Sequence, residues 1–308
     1  MTLDGEAHQA NSQTLTAAGL GFTPLPGVQS GWSKVLVGRE VCFLPLRTVD
    51  DLRPVETLQH EVMGIDDRDL LAASALVTVP ETGGEVIGAF LAATSERAPR
   101  ELAGVVIGWG GFVAGQPRLV SDLLAVRAQR RNLGLGMELK RLQAAVALVA
   151  GFGEIIWTVD PLRAANARLN FEKLGATSRR YEEDRYGASF GAGFYGGLPT
   201  DRLHVHWQID SCRVHDCLLG RTTPTTAAAV AGLALYDPRW PAPRALVSLP
   251  TDVDRLLADD PAAVLRWRLR LREMLPTAFA AGYAITGFVP EVGPEPGSSS
   301  FLIERRGG

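Results

Sequence analysis

Arg127-Ala128-Gln129-Arg130-Arg131-Asn132-Leu133-Gly134-Leu135-Gly136 is the stretch on which the fold turns. It separates the apolar run Leu119–Val126 from the helix most plainly written in the chain. In that helix Leu135, Leu139, Leu142, Val146 and Val149 recur at alternating spacings of four and three, which sets them on one face. Gly151 and Gly153 end it, and Glu154–Val159 follows as a nearly unbroken apolar run of the kind found in strands buried on both faces. Strand, helix and strand of this length predict a parallel pair. Glycines at the helix entry let the backbone turn tightly, so that several N–H groups and the helix dipole face one anion, and a diphosphate fits that geometry. Asn132 helps, because it enters the left-handed region more readily than most residues. A glycine turn selected only for close packing would look the same, so the turn alone does not decide between the two.

Working outward toward the N-terminus, Arg118–Val126 and Leu102–Val113 are β runs, the second broken by Gly110-Gly111. The turn Glu81-Thr82-Gly83-Gly84 leads into a third run, Val86–Ala92, and short links between the three predict an antiparallel meander. Before these come a helix or irregular stretch over Asp69–Leu76, a helix from Asp50 to about Val62 with Pro54 in its first turn, and a strand over Val41–Leu46. Residues 1–37 mix Gly, Pro, Ser, Thr and Ala without period and are expected to form a loosely ordered arm.

Toward the C-terminus, Asp160-Pro161 supplies a cap and a first-turn proline for a helix running to Lys173, closed by Gly175. Strands are expected over Ala176–Asp184 and Leu203–Ile209, joined by a glycine-rich loop, Tyr186–Thr200, long enough to cover a site. A Thr/Ala-rich linker leads to a strand over Ala245–Leu249, a helix from Pro261 to about Ala281, and strands over Tyr283–Val289 and Phe301–Glu304. The segment Arg266–Arg272 alternates as a strand would, but it contains no β-branched residue, and Val264, Trp267, Leu271, Leu275 and Ala278 keep helical spacing. A helix is therefore expected, kinked at Pro276, with its arginines spread around it on a solvated surface beside Asp259 and Glu273. The whole divides into an arm (1–37), a central domain (38–210) and a β-α-β-β extension (211–308) that enlarges the sheet or forms an interface.

With 308 residues, 46% of them apolar, the chain buries a substantial core. A formal net charge of −3 gives no global attraction to nucleic acid or to an anionic membrane, and neither is expected as a partner. Of the 31 basic residues only Lys34, Lys140 and Lys173 are lysines, a compositional bias toward arginine. Cys42, Cys212 and Cys217 are too few for a disulfide framework and suit a reducing compartment. Met1–Gln9 lacks a basic leader region and no run reaches the roughly 18 apolar residues that span a bilayer. Export and membrane insertion are not expected, which leaves the cytoplasm.

Arg131-Asn132-Leu133-Gly134-Leu135-Gly136 resembles the R/Q-x-x-G-x-G/A motif of the GNAT superfamily of acyl-CoA-dependent N-acetyltransferases, and it follows the apolar run in the place of that family's fourth strand. Asn166–Ala176 resembles the family's second motif, a helix ending in an aromatic residue and then Gly and a hydrophobic residue. The resemblance covers roughly residues 38–210. It is looser in the C-terminal part, where it is to uncharacterised bacterial members. It implies a mixed α/β fold whose sheet splays between the fourth and fifth strands, and acetyl-CoA or a close acyl-CoA as co-substrate. The pantetheine arm would pair with backbone near Leu124, Ala125 and Val126. Arg131, Asn132, Leu133, Gly134, Leu135, Gly136 and Met137 would hold the diphosphate, chiefly through main-chain amides, with Asn166 and Phe171 also at the cofactor. The implied reaction is direct acyl transfer to a small-molecule or peptide amine, with no metal; a homodimer is compatible with it.

An amine of pKa about 10.4 is almost wholly protonated at neutral pH, so direct attack requires a base. Asp122 is the first candidate, because a carboxylate inside an apolar strand is dehydrated, although pairing with an arginine accounts for it equally. Asp160 is the second, at the C-terminal end of the next strand, where ligands gather in parallel sheets; helix capping is its simpler role. Tyr181, Tyr186 and Tyr195 are candidate acids for the departing thiolate. Phe171 stands where many family members have a tyrosine, which motivates a rival reading as a catalytically inactive acyl-CoA-binding protein. A second rival is a zinc-stabilised interaction module on Leu203–Cys217, where His204, His206, Cys212, His215 and Cys217 have zinc-ligand chemistry but a spacing that points to no particular zinc module, so that ordinary sheet and loop residues are the simpler account.

Overall fold

The computed structural model describes residues 15–26, 31–91, 101–187 and 197–305. The described residues form one twelve-stranded mixed sheet flanked by helices. Its strands are β1 (Thr23–Pro24), β2 (Trp32–Leu36), β3 (Arg39–Pro45), β4 (Glu85–Leu91), β5 (Glu101–Val113), β6 (Gln116–Val126), β7 (Glu154–Val159), β8 (Thr177–Glu182), β9 (Arg202–Gln208), β10 (Arg244–Pro250), β11 (Tyr283–Val289) and β12 (Ser298–Arg305). They lie in the order β1-β2-β3-β4-β5-β6-β7-β9-β8-β11-β12-β10. Every pairing is antiparallel except β6 with β7.

The first helix, α1 (Val49–Met63), starts at a capping box in which Thr48 and Asp51 satisfy each other's backbone amides, and it buries Leu52, Val55 and Leu58 against one face of β4–β6. Pro54 is its sixth residue, beyond the first turn. The opposite face carries α3 (Leu135–Val149), joining β6 to β7; the short α2 (Ala73–Leu76) packs beside α1. After β7 the chain forms α4 (Ala164–Ala167), which widens into a π turn over Arg168–Lys173. The helices α5 (Cys212–Leu218), α6 (Ala227–Val230), α7 (Val253–Asp259) and α8 (Pro261–Ala280) follow.

Several expectations are revised. Part of the expected arm belongs to the sheet, since β2 pairs with β3 over five registered residues and Leu15, Leu20 and Phe22 are buried in the core. β5 runs unbroken through Gly110-Gly111. The C-terminal segment enlarges the sheet, joining it through the single register pair Ile285↔Ser178. Arg266–Arg272 is helical, but its arginines are not a solvated ring: Arg268 is 2% exposed. The expected loop over Tyr186–Thr200 lies largely outside the described residues, as does Tyr195.

Candidate functional site

β6 and β7 are registered at two positions only, Leu119↔Ile155 and Val120↔Ile156, and then part. Each strand stays fully paired on its other side, β6 with β5 as far as Val126↔Gly104 and β7 with β9 as far as Val159↔Leu203. A gap therefore opens between the two strands, walled by residues 121–126 of β6, whose backbone has no strand partner on that side among the described residues. A bulge coincides with the parting point: Ser121 pairs with Gly108 and Leu123 with Ile107, leaving Asp122 as the extra residue.

The mouth of the gap is the entry to α3. Residues 128–133 make a 3-10 turn, Gly134 is left-handed (φ 73°, ψ 14°), and no side chain caps the helix. The Met137 and Glu138 amides turn in to the Gly134 carbonyl at 3.1 and 3.3 Å, which leaves the Leu135 and Gly136 amides as the open donors of the first turn. Gly134 is glycine because of its φ. Gly136 has no such reason: its φ is ordinary, and a Cβ there would meet only Leu124 Cδ2 at 3.8 Å and Val126 Cγ2 at 3.9 Å, normal contact distances. Packing within the chain does not require a bare backbone at this point.

The expected site residues fall around this mouth unequally. Leu124 and Val126 lean toward α3 while Ala125 turns to the α1 side. Leu133 and Leu135 put their side chains into the core, whereas Arg131 and Asn132 are exposed. The amide of Met137 is consumed within the turn, which corrects its expected role as a diphosphate donor. Asn166 is exposed on α4. Phe171 is 1% exposed and sits edge-to-face on Phe301 at 5.8 Å, so its geometry is that of a core residue and not of a cofactor contact.

Asp122 is exposed by area, yet protein crowds around its carboxylate, and the resulting dehydration raises its pKa above the ordinary 3.8. The hydrogen bond donated by Trp109 Nε1 at 3.3 Å and the charge of Arg185 oppose that rise without cancelling it. The Tyr186 hydroxyl lies 3.4 Å from Thr158 Oγ1 on β7. On the neighbouring strands His204 contacts Glu182 at 2.5 Å, and dehydration lowers its pKa. Tyr181 donates to Asp201 Oδ2 at 2.6 Å, and burial drives its pKa up, so its proton is held by a carboxylate.

Asp160 is committed elsewhere. Arg268 donates to both its oxygens, at 3.0 and 3.1 Å, and the Leu162 amide donates to Oδ1 at 2.9 Å. A carboxylate so occupied and only 7% exposed is committed to an ion pair, in place of the base expected there. It does not cap the helix either, since α4 begins only at Ala164.

Beneath the parting point lies a buried polar cluster that is not among the expected site residues. Lys140 of α3 donates to Ser121 Oγ (2.9 Å) and Gln143 Oε1 (2.8 Å) and lies over the Trp157 ring at 3.8 Å. Gln143 in turn donates to Glu85 Oε1 at 3.0 Å. Burial pushes Lys140 down, to about 7, and Glu85 up, to about 8, each shift partly opposed by the other's charge. The signal in the sequence was a lysine and a glutamine three apart on the face of the apolar stripe.

The histidine and cysteine stretch does not converge. His206 contacts Glu154 at 2.7 Å, His215 contacts the Ile209 carbonyl at 2.8 Å, and among the described residues no three potential ligands gather. The zinc-stabilised reading loses its basis.

No family model matches the sequence, and no curated protein matches it. Among solved structures the chain is similar to the NatC complex bound to Gag peptide and CoA (14% identity, 55% of this chain and 98% of that one, TM-score 0.42). It is likewise similar to a GNAT-family acetyltransferase from Streptococcus pneumoniae (15%, 54% and 98%, TM-score 0.41) and to an IAA acetyltransferase from Bacillus cereus (13%, 55% and 99%, TM-score 0.39). The chain is similar in fold to GNAT acetyltransferases. Among the described residues no helix is long and apolar enough to cross a membrane.

Proposed function

We propose that this chain is a GNAT-superfamily acyltransferase that takes an acyl group, acetyl in the simplest case, from acyl-CoA and delivers it to an amine. The observation that carries this reading is the gap between β6 and β7 with an uncapped, glycine-lined helix entry at its mouth. An extended arm carrying amides and a diphosphate at its far end fits both parts. The unpaired β6 backbone over 124–126 offers a strand edge to the amides, and the Leu135 and Gly136 N–H groups, with the helix dipole, face the diphosphate. Arg131, exposed and without an ion pair among the described residues, adds positive charge at the same mouth.

Bound there, the co-substrate supplies a thioester. The protein's part is to hold it, donate to the developing oxygen from a fixed backbone N–H of the β6 edge, and remove a proton from the amine. Asp122 takes that proton. It sits at the bulge where the gap begins, it is accessible, and dehydration makes it a stronger base than an ordinary aspartate. Among the described residues Tyr186, whose hydroxyl lies beside Thr158 on β7, is the candidate acid for the leaving thiolate; Tyr181 is tied to Asp201. The fold neighbour bound to a peptide and CoA makes a peptide terminus one acceptor to test, alongside small amines. The test is an acetyl-CoA titration of wild type and Gly134→Glu, followed by thiol release with an amine panel. Equal affinity in both proteins would overturn the cofactor assignment. Tight binding with no turnover would leave a CoA-binding protein.

A further inference from the structure

A cavity of about 340 Å³ lies on the α3 face of the sheet, away from the gap. Its walls come from the last turns of α3 (Ala145, Val146, Val149), from Trp32 of β2, and from the adjoining ends of β3 and β4. The entry to α3 forms the mouth of the gap, whereas Ala145 follows Leu135 by ten residues, about 15 Å of helix. The volume suits a small ligand, and the walls are largely apolar.

Among the described residues two charged side chains line this cavity, Glu85 and Arg47. Glu85 is 7% exposed; its Oε1 accepts from Gln143 Nε2 at 3.0 Å, and its Oε2 has no hydrogen-bond partner among the described residues. Folded proteins seldom leave such an oxygen unmet, because a buried polar group without a partner costs its full dehydration. Lys140 does not meet it, since its amine contacts Gln143 and Ser121. Arg47 is exposed, at the rim. The register that pairs Pro45 with Ile87 and sets the Leu46 amide on the Val86 carbonyl brings Arg47 opposite Glu85, on the same face of the sheet. Even so, the guanidinium is not among the groups that act on the Glu85 carboxyl. An acid inside the cavity and a base at its rim thus lie on neighbouring strands without pairing to each other.

We propose that the cavity binds a free apolar α-amino acid, with its ammonium on Glu85, its carboxylate on Arg47 and its side chain against Trp32, Val146 and Val149. A cation is the partner that a buried acid without a counter-charge lacks, and an ammonium brings a donor to Oε2. A cation alone would face the Arg47 guanidinium, and a carboxylate alone would set a second acid beside Glu85; a zwitterion meets both groups. Apart from Thr16 the rest of the lining is aliphatic or aromatic, which favours an apolar side chain on the ligand. Burial raises Glu85 to about 8, so near neutral pH its carboxyl is mostly uncharged, and pairing with an ammonium would release its proton to solvent. The site stands whether or not the gap binds acyl-CoA.

The test is calorimetry of the full-length protein with leucine, valine and phenylalanine, then with leucinamide and N-acetylleucine, repeated on Glu85→Gln and Arg47→Gln. Wild type should bind at least one of the free amino acids, and should bind N-acetylleucine, which has no ammonium, at least about tenfold more weakly than leucine. Glu85→Gln should lose leucine affinity by a similar factor. Arg47→Gln should weaken leucine roughly threefold to tenfold and leave leucinamide, which has no carboxylate, as it was. Because Arg47 is exposed, this variant and the ligand series decide the matter even where Glu85→Gln fails to fold. No binding of any free amino acid by wild type, N-acetylleucine bound as tightly as leucine, or unchanged leucine affinity in Arg47→Gln would each overturn the inference.

Discussion

Gly136→Ala separates the two reasons a glycine can stand at a helix entry. In the chain alone the change is benign. The residue has an ordinary φ, the new methyl meets Leu124 and Val126 at 3.8 and 3.9 Å, and nothing must move. Replacing a glycine within a helix by alanine stabilises by about 0.5–1 kcal/mol, so the melting temperature should rise by about 1–3 °C. For a ligand the consequence is opposite, because the methyl projects over the free edge of β6 at the place where a diphosphate must approach the amides. Losing one hydrogen bond to a charged group costs about 1.5–3 kcal/mol, which weakens CoA binding roughly 10- to 150-fold. The assay is calorimetry with CoA beside a thermal melt of the apo protein. The reasoning is refuted if Gly136→Ala binds CoA as tightly as wild type, or if it melts lower, which would make the glycine a packing residue after all.

Asp122→Asn should lower kcat/KM by about a hundredfold to ten-thousandfold while leaving CoA affinity unchanged, the range expected of a general base. Because the base acts deprotonated and its pKa is raised, wild-type activity should fall with decreasing pH along a limb above the ordinary 3.8, and the variant should lack that limb. Glu85 has an ordinary value of 4.5 and about 8 in the fold, so the native state holds its proton more tightly and stability contributed by this group is lost as pH rises from 4.5 through 8. Lys140, moved from 10.5 to about 7, acts in the opposite sense, adding stability as pH rises from 7 toward 10.5. Melting temperatures of Glu85→Gln across that range should show the first decline abolished; an unchanged profile would contradict the burial argument. Arg268→Met leaves Asp160 buried without its partner and should cost about 3–5 kcal/mol in urea unfolding, most of it recovered in Arg268→Met/Asp160→Leu.

The sequence made α3 legible because five apolar residues kept its period, and it made the parallel pair legible because a helix of that length joins two apolar runs. Neither signal contains a register. Where β6 and β7 stop pairing depends on the bulge at Asp122 and on what lies beneath, and both are tertiary facts. Lys140 and Gln143 stayed hidden for a related reason: an apolar period counts the residues that fit and passes over a polar one on the same face. Asp160 shows local chemistry read correctly and its consequence missed. The carboxylate does accept from a backbone amide two residues on, but its main partner is 108 residues away on a helix that sequence spacing presented as solvated. Trp32–Leu36 was lost in a Gly- and Pro-rich segment, although Lys34 there holds Glu138 in the first turn of α3 at 2.6 Å.

Two unpaired strand edges facing one another would normally close, since each offers the backbone groups that the other lacks. What keeps this pair apart is that each strand is anchored to a different half of the molecule. β6 is fully paired with β5, and the chain beyond it continues that attachment through Arg127, whose amide meets the Ala103 carbonyl and whose guanidinium meets the Leu102 carbonyl at 2.8 Å and also Glu61. β7 is paired over six residues with β9, and its end is pinned by Arg268 to Asp160 and by Arg163 to Asp254. Both of those pins reach into the C-terminal segment, one to α8 and one to α7. Lys140 fills the apex between them. The extension thus bears on the proposed site without touching a substrate: by holding the end of β7 it keeps open the gap in which the co-substrate would lie. Substitutions at the Arg268 and Asp254 pins should therefore weaken CoA binding even where the fold survives.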